Sequence, residues 1–453
     1  MSNARSPDSF WGDETPTVQA VVAWAAQRVV SHSDPKTTAR PASDLAADAG
    51  ATITARGIGG EAALRVFDQV LVPATRSQDD PMNLAYVPSA PTRSAVAFDF
   101  ATSAANIFGG IWETGAGAIY AENEALGWLV DLLGWPEGAG GCFVAGGTIG
   151  TLSGLVTARA AVADRRGARP ADGWAIACTE GAHSSVFAAA QVMDVAVITV
   201  PTDDRGHLTG AALQDRLREH PEVCAVVASA GTTNGGVVDD LVDVADVCAQ
   251  HDVWLHVDGA YGGAALAAPS VRHRFAGVER ADSFIVDPHK WLFAPYDSCA
   301  LLYREPDHAR AAHAQHASYL DTIDRHEWNP ADLAIHLSRR VRGLPFWFSL
   351  AVHGTDRYTE AVEHGIDVAQ QIAVGIERRE HLRLVLSPEL SVLLFERVGW
   401  DAHHYSVWSH EMALAGVILC VPTTWNGRPV FRLIVVNPQT RPQDVLAALD
   451  TML

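Results

Sequence analysis

The sequence predicts an α/β protein in which helices cover both faces of a mostly parallel sheet. Between Trp135 and Arg304, short apolar runs alternate with amphipathic stretches such as LVDVADVCAQH. The runs are AIACTE, VAVITVP, AVVASAGTT, WLHVDGA, SFIVDPHKW and CALLYRE. Such runs are typical of strands buried on both faces, and their alternation with helices is typical of a parallel sheet. Beyond them, VLLFERV and VFRLIVVNP alternate with helical stretches and predict a smaller α+β domain.

The elements before and after this region complete the predicted organisation. Up to about Arg76, helical pieces are broken by polar turns, which indicates an arm rather than a catalytic domain. The stretch NEALGWLVDLLGW predicts a helix that ends at Gly134, with Leu126, Leu129, Val130 and Leu133 on its buried face. SRRVRGLPFWFSLAVHG is predicted to be one long helix despite Pro345. The expected domains are an N-terminal helical arm (1–76), a large domain (77–345) and a small C-terminal domain (346–453).

The composition limits the classes of partner. The chain has 453 residues, of which 48% are hydrophobic and 19% charged, and its formal net charge is -20. A charge of this sign repels phosphate backbones and anionic lipid, so a small-molecule ligand is favoured over nucleic acid or a membrane. The opening residues show neither a secretory signal nor a membrane span, and a cytoplasmic location is expected.

The cysteines are scattered, form no CxxC pair and mostly lie in apolar stretches. They are Cys142, Cys178, Cys224, Cys248, Cys299 and Cys420. This distribution indicates reduced core thiols rather than disulfides or zinc ligands, so no metal ion is expected.

Lysine usage singles out one position. Lys36 and Lys290 are the only lysines in the chain, whose other basic residues are arginines. Lys290 lies between His289 and Trp291 in an apolar stretch, where a solubilising surface lysine is out of place. Because arginine does not form an imine under cellular conditions, a site that needs a nucleophilic amine must keep a lysine. A structural lysine whose amine reaches solvent is the alternative.

A glycine-rich turn predicts a phosphate site. In AGGTIGTLSGLVTARAA, Gly146, Gly147 and Thr148 open a helix. Glycines let the backbone approach a phosphate, and the free amides at a helix start donate hydrogen bonds to it. A tight turn before a helix is the alternative.

Two further positions follow apolar runs. His183 in TEGAHSSV is flanked by small residues, which leaves room to stack on a flat cofactor ring; a helix-capping or core histidine is the alternative. Asp258 ends the run WLHVD, where a carboxylate is costly unless a cation such as a pyridinium nitrogen meets it; a turn-capping aspartate is the alternative. Burial and a neighbouring protonated imine site are expected to lower the pKa of Lys290 toward the range where the free amine attacks. Between these positions, Thr232 could hydrogen-bond a ring hydroxyl, and Asp239 is predicted to cap the next helix.

The order of these features resembles the group II pyridoxal-phosphate-dependent amino-acid decarboxylases, which include aromatic-amino-acid, glutamate and diaminobutyrate decarboxylases. The similarity covers nearly the whole chain after about Asp79. It rests on GGT before a helix, EGAHSSV, AGTTNGG, HVDGAYGG, DPHKW, SRRVRGLPFWFSL and FRLIVVNPQT. HVDGAYGG together with DPHKW is the most specific part.

This resemblance implies a type I pyridoxal-phosphate fold with a seven-stranded sheet, and a homodimer with its active site at the interface. It implies that Lys290 forms the internal aldimine with pyridoxal 5'-phosphate and that Asp258 pairs with the ring nitrogen. The other implied cofactor contacts are Gly147, Thr148 and His289 at the phosphate, His183 stacked on the ring, Thr232 at its hydroxyl and Ala260 beneath it. The implied reaction is decarboxylation of an L-amino acid to an amine and carbon dioxide.

Two departures from the family leave the net reaction and the substrate open. The family's mobile loop often carries a tyrosine that is thought to donate a proton, but DRHEWNPADLAIHLSRR contains none. Tyr319 lies earlier, and His326 is a candidate for the proton role. Aldehyde synthase, aminotransferase, lyase or a silent dimeric homologue are therefore alternatives. The second departure lies upstream, where DDPMNLAYVPSAPT and GGIWETGAGAIYAENE replace the family's usual substrate-side segment. Tyr86, Ser89 and Trp112 in these stretches are candidates to line a pocket for an aromatic or other bulky substrate, with core or interface packing as their alternative role. Arg432 is a further candidate, with a domain salt bridge as its alternative role.

Overall fold

Two β-sheets organise the protein in the computed structural model, which describes residues 14–31, 39–315 and 326–452. The larger sheet contains β1 (Gly140–Val144), β2 (Ala175–Thr179), β3 (Ala196–Val200), β4 (Val223–Ser229), β5 (Trp254–Asp258), β6 (Ser283–Val286) and β7 (Cys299–Tyr303). Their order is β1-β7-β6-β5-β4-β2-β3, and β7 runs antiparallel to both of its neighbours while the other pairs are parallel. The prediction of a mostly parallel, seven-stranded sheet is confirmed. Strand β1 was missed because two of its residues are glycines, which weaken the apolar pattern.

The smaller sheet is antiparallel. It contains β8 (Leu382–Leu386), β9 (Val392–Arg397), β10 (Val421–Trp425) and β11 (Arg428–Ile434), in the order β10-β11-β9-β8. Helices α12 (Thr355–Glu377), α13 (Ala402–Leu414) and α14 (Pro442–Leu449) accompany it. Together they form the smaller α+β unit that the sequence predicts.

Helices enclose the larger sheet and precede it. The helices before β1 are α1 (Thr15–Val30), α2 (Ala42–Ala49), α3 (Gly60–Val66), α4 (Arg93–Ala105) and α5 (Trp112–Leu133). Those among its strands are α6 (Gly147–Arg166), α7 (Ser184–Met193), α8 (Gly210–Glu219) and α9 (Leu241–Gln250), and α10 (Pro306–His313) and α11 (Leu344–His353) follow β7. No helix within the described ranges is both long and apolar enough to cross a membrane.

The core has a layer on each face of the larger sheet. Alternate residues of β5 enter different layers: Leu255 and Val257 pack in one, and Trp254 packs in the other. All five residues of β5 are buried, which is why the strand reads as a nearly continuous apolar run. Fully burying a side chain such as Leu255 contributes roughly 1.5–3 kcal/mol.

Two helix boundaries differ from the sequence prediction. Helix α5 ends at Gly134 as expected, where φ is 69°, and its four predicted face residues are buried, but it begins earlier, at Trp112. The long helix predicted over SRRVRGLPFWFSLAVHG is wrong, because α11 begins at Leu344. Pro345 therefore lies in the first turn, where a missing N–H leaves no helical hydrogen bond unmade.

The prediction that Asp239 caps the helix after it is also wrong. The side chain of Asp240 caps α9 by accepting a hydrogen bond from the backbone amide of Asp243. The buried carboxylate of Asp239 instead accepts from the amides of Leu208 (2.7 Å) and Ser229 (2.6 Å). It therefore joins the loop before α8 to the end of β4.

A histidine links the loop before α8 to the loop between β8 and β9. His207 Nε2 lies 2.9 Å from Glu389 Oε1, and its Nδ1 lies 2.8 Å from Asp203 Oδ2. The bond to the buried Glu389 and the neighbouring Asp203 raise the pKa of His207 to about 9. The link therefore carries a charge at neutral pH.

This link predicts a pH-dependent component of stability. A histidine whose pKa is raised by folding stabilises the folded protein. This stabilisation is complete at pH values below 6.5, the pKa in the unfolded chain, and it is lost as the pH rises through about 9. We expect His207→Gln to lower the free energy of unfolding by about 2 kcal/mol near pH 7 and by much less near pH 10, measured by urea titration. An equal deficit at both pH values would contradict a charged His207.

Candidate active site

The candidate residues gather beyond the carboxyl ends of the central strands. Asp258 is the last residue of β5, Lys290 lies four residues after β6, and Thr232 lies three residues after β4. The carboxyl edge is where open parallel sheets bind ligands. His183, at the start of α7, lies within electrostatic range of Asp258, Lys290 and Arg432. The fold therefore brings together residues from four separate motifs.

The glycine-rich turn forms the start of α6. Gly146 has a φ of 138°, a value that favours glycine, and it precedes the first turn of this 20-residue helix. Within the described ranges, the backbone amides of Gly147 and Thr148 form no hydrogen bond to a protein acceptor. A Cβ added at Gly147 would lie 3.2 Å from Asp287 Oδ2 and 3.4 Å from Ala260 Cβ. The helix start is therefore packed closely against the candidate site and offers free amides to an anion.

His183 caps α7, as its alternative interpretation predicts. Its Nδ1 accepts a hydrogen bond from the backbone amide of Ser185 at 3.2 Å. Burial lowers the pKa of His183, and Asp258 opposes this effect. Because Nδ1 accepts a hydrogen bond, the neutral ring carries its proton on Nε2. Capping thus fixes the ring and leaves one donor, and it is compatible with stacking on a cofactor.

Asp258 is a buried carboxylate at the end of β5. Its Oδ1 accepts from the backbone amide of Ala260 at 3.0 Å, and the residue is 8% exposed. In the part of the chain that the structure describes, no Lys, Arg or His nitrogen lies within 4.0 Å of this carboxylate. A buried carboxylate without such a partner suits a cationic ligand atom, and a protonated pyridine nitrogen is one.

Lys290 pairs with a carboxylate that the sequence analysis missed. Its Nζ lies 2.9 Å from Asp287 Oδ2, and the two side chains are 22% and 2% exposed. Burial lowers the pKa of Lys290, but the charge and hydrogen bond of Asp287 outweigh burial, and the pKa is raised. The expectation of a lowered pKa is therefore wrong, because it considered burial without this neighbour. The i,i+3 spacing of the two residues was the available signal.

Two further candidate cofactor contacts already have protein partners. His289 is buried, and its Nδ1 lies 2.7 Å from the carbonyl oxygen of Ser298. Thr232 Oγ1 accepts from the backbone amide of Val237 at 3.1 Å. These bonds fix both side chains, and the Thr232 hydroxyl keeps its proton to donate.

The candidate substrate residues differ in their surroundings. Arg432 in β11 is 5% exposed, and its Nη2 donates to the carbonyl oxygen of Tyr86 at 3.2 Å. No Asp or Glu of the described ranges pairs with Arg432, and its Nε has no hydrogen-bond partner there. Burial lowers the pKa of this arginine to about 10. Among the described residues, the domain salt bridge considered for it is therefore not formed, and the guanidinium suits an anionic ligand.

The segment around Tyr86 is held in an unusual conformation beside Arg432. Tyr86 has a φ of 63° and Val87 a φ of 141°, which is a strained value for a β-branched residue. Ser89 is buried and donates to the carbonyl oxygen of Ala294 at 2.9 Å, so it anchors the segment to the loop after Lys290. Such strain persists only where the surroundings impose it, as they often do at functional sites.

A buried ion pair joins α5 to the segment before α11. Arg339 Nη1 and Nη2 each donate to the carboxylate of Glu122 at 2.8 Å, and the amide of Gly343 donates to the same carboxylate. Trp112, at the start of α5, donates its amide to the side chain of Asn329. Glu122 was not among the predicted site residues, although a carboxylate on an apolar helical face is a signal visible in the sequence. Tyr319 lies outside the described residues, and His326 is exposed.

Pyridoxal phosphate fits the chemistry of these residues. The free amides at the start of α6 suit its phosphate, the buried Asp258 suits its ring nitrogen, and Lys290 supplies an amine. These groups belong to different strands but face the same sheet edge. The arrangement provides both ends of an elongated, charged aromatic ligand with complementary groups.

Comparisons with known proteins give consistent matches. The pyridoxal-dependent decarboxylase conserved domain matches residues 61–398. An aromatic-L-amino-acid decarboxylase of Bacillus atrophaeus is 31% identical over 385 residues, which cover 81% of this chain and 79% of that protein. A crystal structure of Oryza sativa TDC with PLP and tryptamine has a TM-score of 0.87 at 23% identity, covering 100% of this chain and 98% of that one. Rhodiola rosea 4-hydroxyphenylacetaldehyde synthase has a TM-score of 0.85 at 21% identity, covering 99% and 98%. At these identities, the two structures show the fold alone.

Proposed function

From its membership of the pyridoxal-dependent decarboxylase family, we propose that this chain decarboxylates an aromatic or other bulky L-amino acid to the corresponding amine. Members of the family are carboxy-lyases, and pyridoxal phosphate is the cofactor. The observation that carries the proposal is that Lys290, Asp258 and His183 lie together at one sheet edge. Arg432, which has no carboxylate partner in the described ranges, lies within electrostatic range of His183.

In this proposal, each of these residues has a separate task in holding the cofactor. Lys290 bonds to it covalently, the amides of Gly147 and Thr148 bind its phosphate with His289, and Asp258 pairs with its ring nitrogen. His183 stacks on the ring, Thr232 donates to the ring hydroxyl, and Ala260 leaves room beneath the ring. When bound, pyridoxal phosphate withdraws electrons from the α-carbon of an attached amino acid.

Two side chains are proposed to orient the substrate carboxylate. Arg432 offers a buried guanidinium without a carboxylate partner in the described ranges, and His183 offers an Nε2 proton. A carboxylate held by both groups can be placed perpendicular to the cofactor ring, where its bond to the α-carbon breaks most easily. Orientation by the protein then selects decarboxylation over loss of the α-proton.

The preference for an aromatic or bulky side chain rests on two supports. The Bacillus atrophaeus relative is an aromatic-L-amino-acid decarboxylase. The segment that carries Tyr86 is bonded to Arg432 and, through Ser89, to the loop after Lys290, and in this proposal Tyr86 and Trp112 contact the substrate side chain. We further propose that the chain acts as a homodimer in the cytoplasm. Tyr86 is 70% exposed in one chain alone, and a dimer interface would cover such an aromatic side chain. Analytical ultracentrifugation at micromolar concentration tests whether the dimer forms.

Aldehyde formation is the second candidate reaction. The stretch between His326 and Arg340 has no tyrosine, and one structural relative is a 4-hydroxyphenylacetaldehyde synthase. Without a positioned proton donor in this stretch, an aldehyde can replace the amine as the product. That outcome requires dissolved dioxygen and water, and it releases carbon dioxide, ammonia and hydrogen peroxide with the aldehyde. His326, which is exposed, is the residue of this stretch that we propose as the proton donor.

Product identification tests the proposal. The purified protein with pyridoxal phosphate is incubated with a panel of L-amino acids, and the products are identified by mass spectrometry. An amine with carbon dioxide supports decarboxylation and names the substrate. An aldehyde would establish the second reaction, and the absence of any product despite bound cofactor would overturn both.

Removal of the Arg432 charge is expected to weaken substrate binding. Arg432→Gln keeps a donor for the Tyr86 carbonyl but loses the charge-assisted bond to the carboxylate, which is worth about 1.5–3 kcal/mol. We expect kcat/KM to fall at least about tenfold, while cofactor affinity stays within about twofold of the wild type. Steady-state kinetics and a pyridoxal phosphate titration measure the two quantities. A matching loss of cofactor affinity would instead indicate a structural role.

A further inference from the structure

Asp287 is a buried carboxylate for which neither the family resemblance nor the proposed cofactor contacts give a task. It lies between β6 and Lys290, and its side chain is 2% exposed. Its Oδ2 is 2.9 Å from Lys290 Nζ and 3.8 Å from His289 Nε2. Its backbone is fixed on both sides, because its amide donates to the carbonyl of Ala260 and its carbonyl accepts from the amide of Lys290. The carboxylate therefore has little freedom to move away from the amine.

The surroundings of Asp287 favour the ionised carboxylate. A Cβ at Gly147 would lie 3.2 Å from Oδ2 and 3.4 Å from Oδ1, so the carboxylate lies under the start of α6. The positive end of a helix dipole stabilises a negative charge there. Burial raises the pKa of Asp287, but the charge of Lys290 is the largest influence that opposes burial, and the pKa is lowered. Asp287 and Lys290 therefore form an ion pair, in which Asp287 is a carboxylate and Lys290 is an ammonium ion.

We propose that Asp287 is the positioning residue of Lys290, holding the amine as an ammonium ion whenever no covalent bond joins it to the cofactor. This inference rests on the proposed role of Lys290 as the cofactor lysine. It adds a restraint that the proposed function does not include. The ammonium group is kept at a fixed place beside α6. It becomes a nucleophilic amine only when it loses a proton.

The other groups around the amine cannot replace Asp287. Within residues 14–31, 39–315 and 326–452, the titratable side chains that act on Lys290 besides Asp287 are those of His183, Asp258, His289, Tyr296 and Cys299. The two histidines have lowered pKa values, chiefly because they are buried, and burial raises the pKa values of Tyr296 and Cys299. All four are therefore uncharged near neutral pH. Asp258 is the second negative charge, and it is assigned to the cofactor ring.

The scarcity of lysine makes the inference directly measurable. Lys290 and Lys36 are the only lysines, so each modified amine can be assigned to its peptide. The cofactor-free full chain is labelled with trace acetic anhydride over a series of pH values. Peptide mass spectrometry then gives the extent of labelling at Lys290, normalised to the same peptide of the unfolded chain.

The expected result is a pH profile shifted between wild type and Asp287→Asn. In the wild type, Lys290 should remain less reactive than Lys36 across the neutral and mildly alkaline range. Asp287→Asn should raise Lys290 labelling about tenfold or more near pH 8, since each unit of pKa changes the free amine tenfold. Lys36 labelling should not change. Asp239→Asn is the matched control, because it neutralises another buried aspartate that does not contact Lys290.

Two outcomes would overturn the inference. One is a wild-type Lys290 that labels at the same pH as Lys36 or below it, which needs no variant and so does not depend on the folding of Asp287→Asn. The other is a folded Asp287→Asn protein with an unchanged Lys290 profile. Borohydride reduction of the wild type loaded with pyridoxal phosphate provides a separate check. A pyridoxyl group on Lys290 keeps the proposed function even where the labelling profile rejects the role of Asp287.

Discussion

Lys290→Ala is expected to abolish both turnover and stable retention of pyridoxal phosphate. Lys290 supplies the amine at this sheet edge, and the only other lysine is Lys36, which is 254 positions earlier in the sequence by subtraction of the two residue numbers. Without that amine, the cofactor is held by its phosphate and ring contacts alone. We expect the rate to fall by more than about 10³-fold, because both the covalent attachment and a positioned proton carrier are lost.

The measurement combines activity with cofactor retention. After desalting, the wild type should keep the visible absorbance of bound pyridoxal phosphate and Lys290→Ala should not. Lys36→Ala is the matched control, since it removes the other lysine and should leave both properties unchanged. A Lys290→Ala protein with near-normal activity would reject the central assignment. A wild type without bound cofactor would instead revive the alternative of a silent dimeric homologue.

The fold was predictable from local patterns because the central strands are buried on both faces. Strand β5 shows this most clearly, since all its residues are buried and the sequence WLHVD is apolar except at His256 and Asp258. The polar residue that ends such a run marks the carboxyl edge of the sheet. This is how Asp258 and Lys290 could be selected before their proximity was known.

What escaped prediction depends on contacts between distant or differently oriented groups. Glu122 and Arg339 are 217 positions apart, and no local pattern relates them. The direction of the Lys290 pKa shift depends on whether Asp287 points toward the amine, which a spacing of three residues permits but does not require outside a helix. Asp239 and Asp240 are adjacent, and only the backbone geometry decides which of them caps α9.

Tertiary contacts also decide between the interpretations of His183 and Arg432. Each had two interpretations, and the structure affects them differently. His183 caps α7 and can still face a cofactor, because capping uses Nδ1 and leaves Nε2. Arg432 forms no salt bridge within the described ranges, which contradicts the domain-bridging interpretation there. Its guanidinium can still bind a substrate carboxylate, because its Nε has no hydrogen-bond partner among the described residues.

Asp258→Asn is expected to have the second-largest effect on catalysis. The amide can still accept the hydrogen bond from the Ala260 amide, which is 3.0 Å long in the wild type, so the substitution removes charge with little change in shape. In the proposed function, Asp258 is the residue that would keep the cofactor's ring nitrogen protonated, so Asn at this position would leave that nitrogen without its negative partner. Loss of one preorganised electrostatic contact costs about 10²–10³ in kcat, and we expect a decrease in that range together with weaker cofactor binding.

Steady-state kinetics and a pyridoxal phosphate titration measure these two effects, and Asp239→Asn serves as the control. Burial raises the pKa of Asp239 to about 7, so the neutral amide resembles a form that the wild type already populates, and kcat should stay close to normal. Asp258→Asn with unchanged kinetics would mean that the ring nitrogen has another partner. A fall in kcat without a fall in kcat/KM for cofactor-saturated enzyme would place the effect after the first irreversible step rather than at bond cleavage, because kcat/KM reports the barrier from free enzyme and substrate.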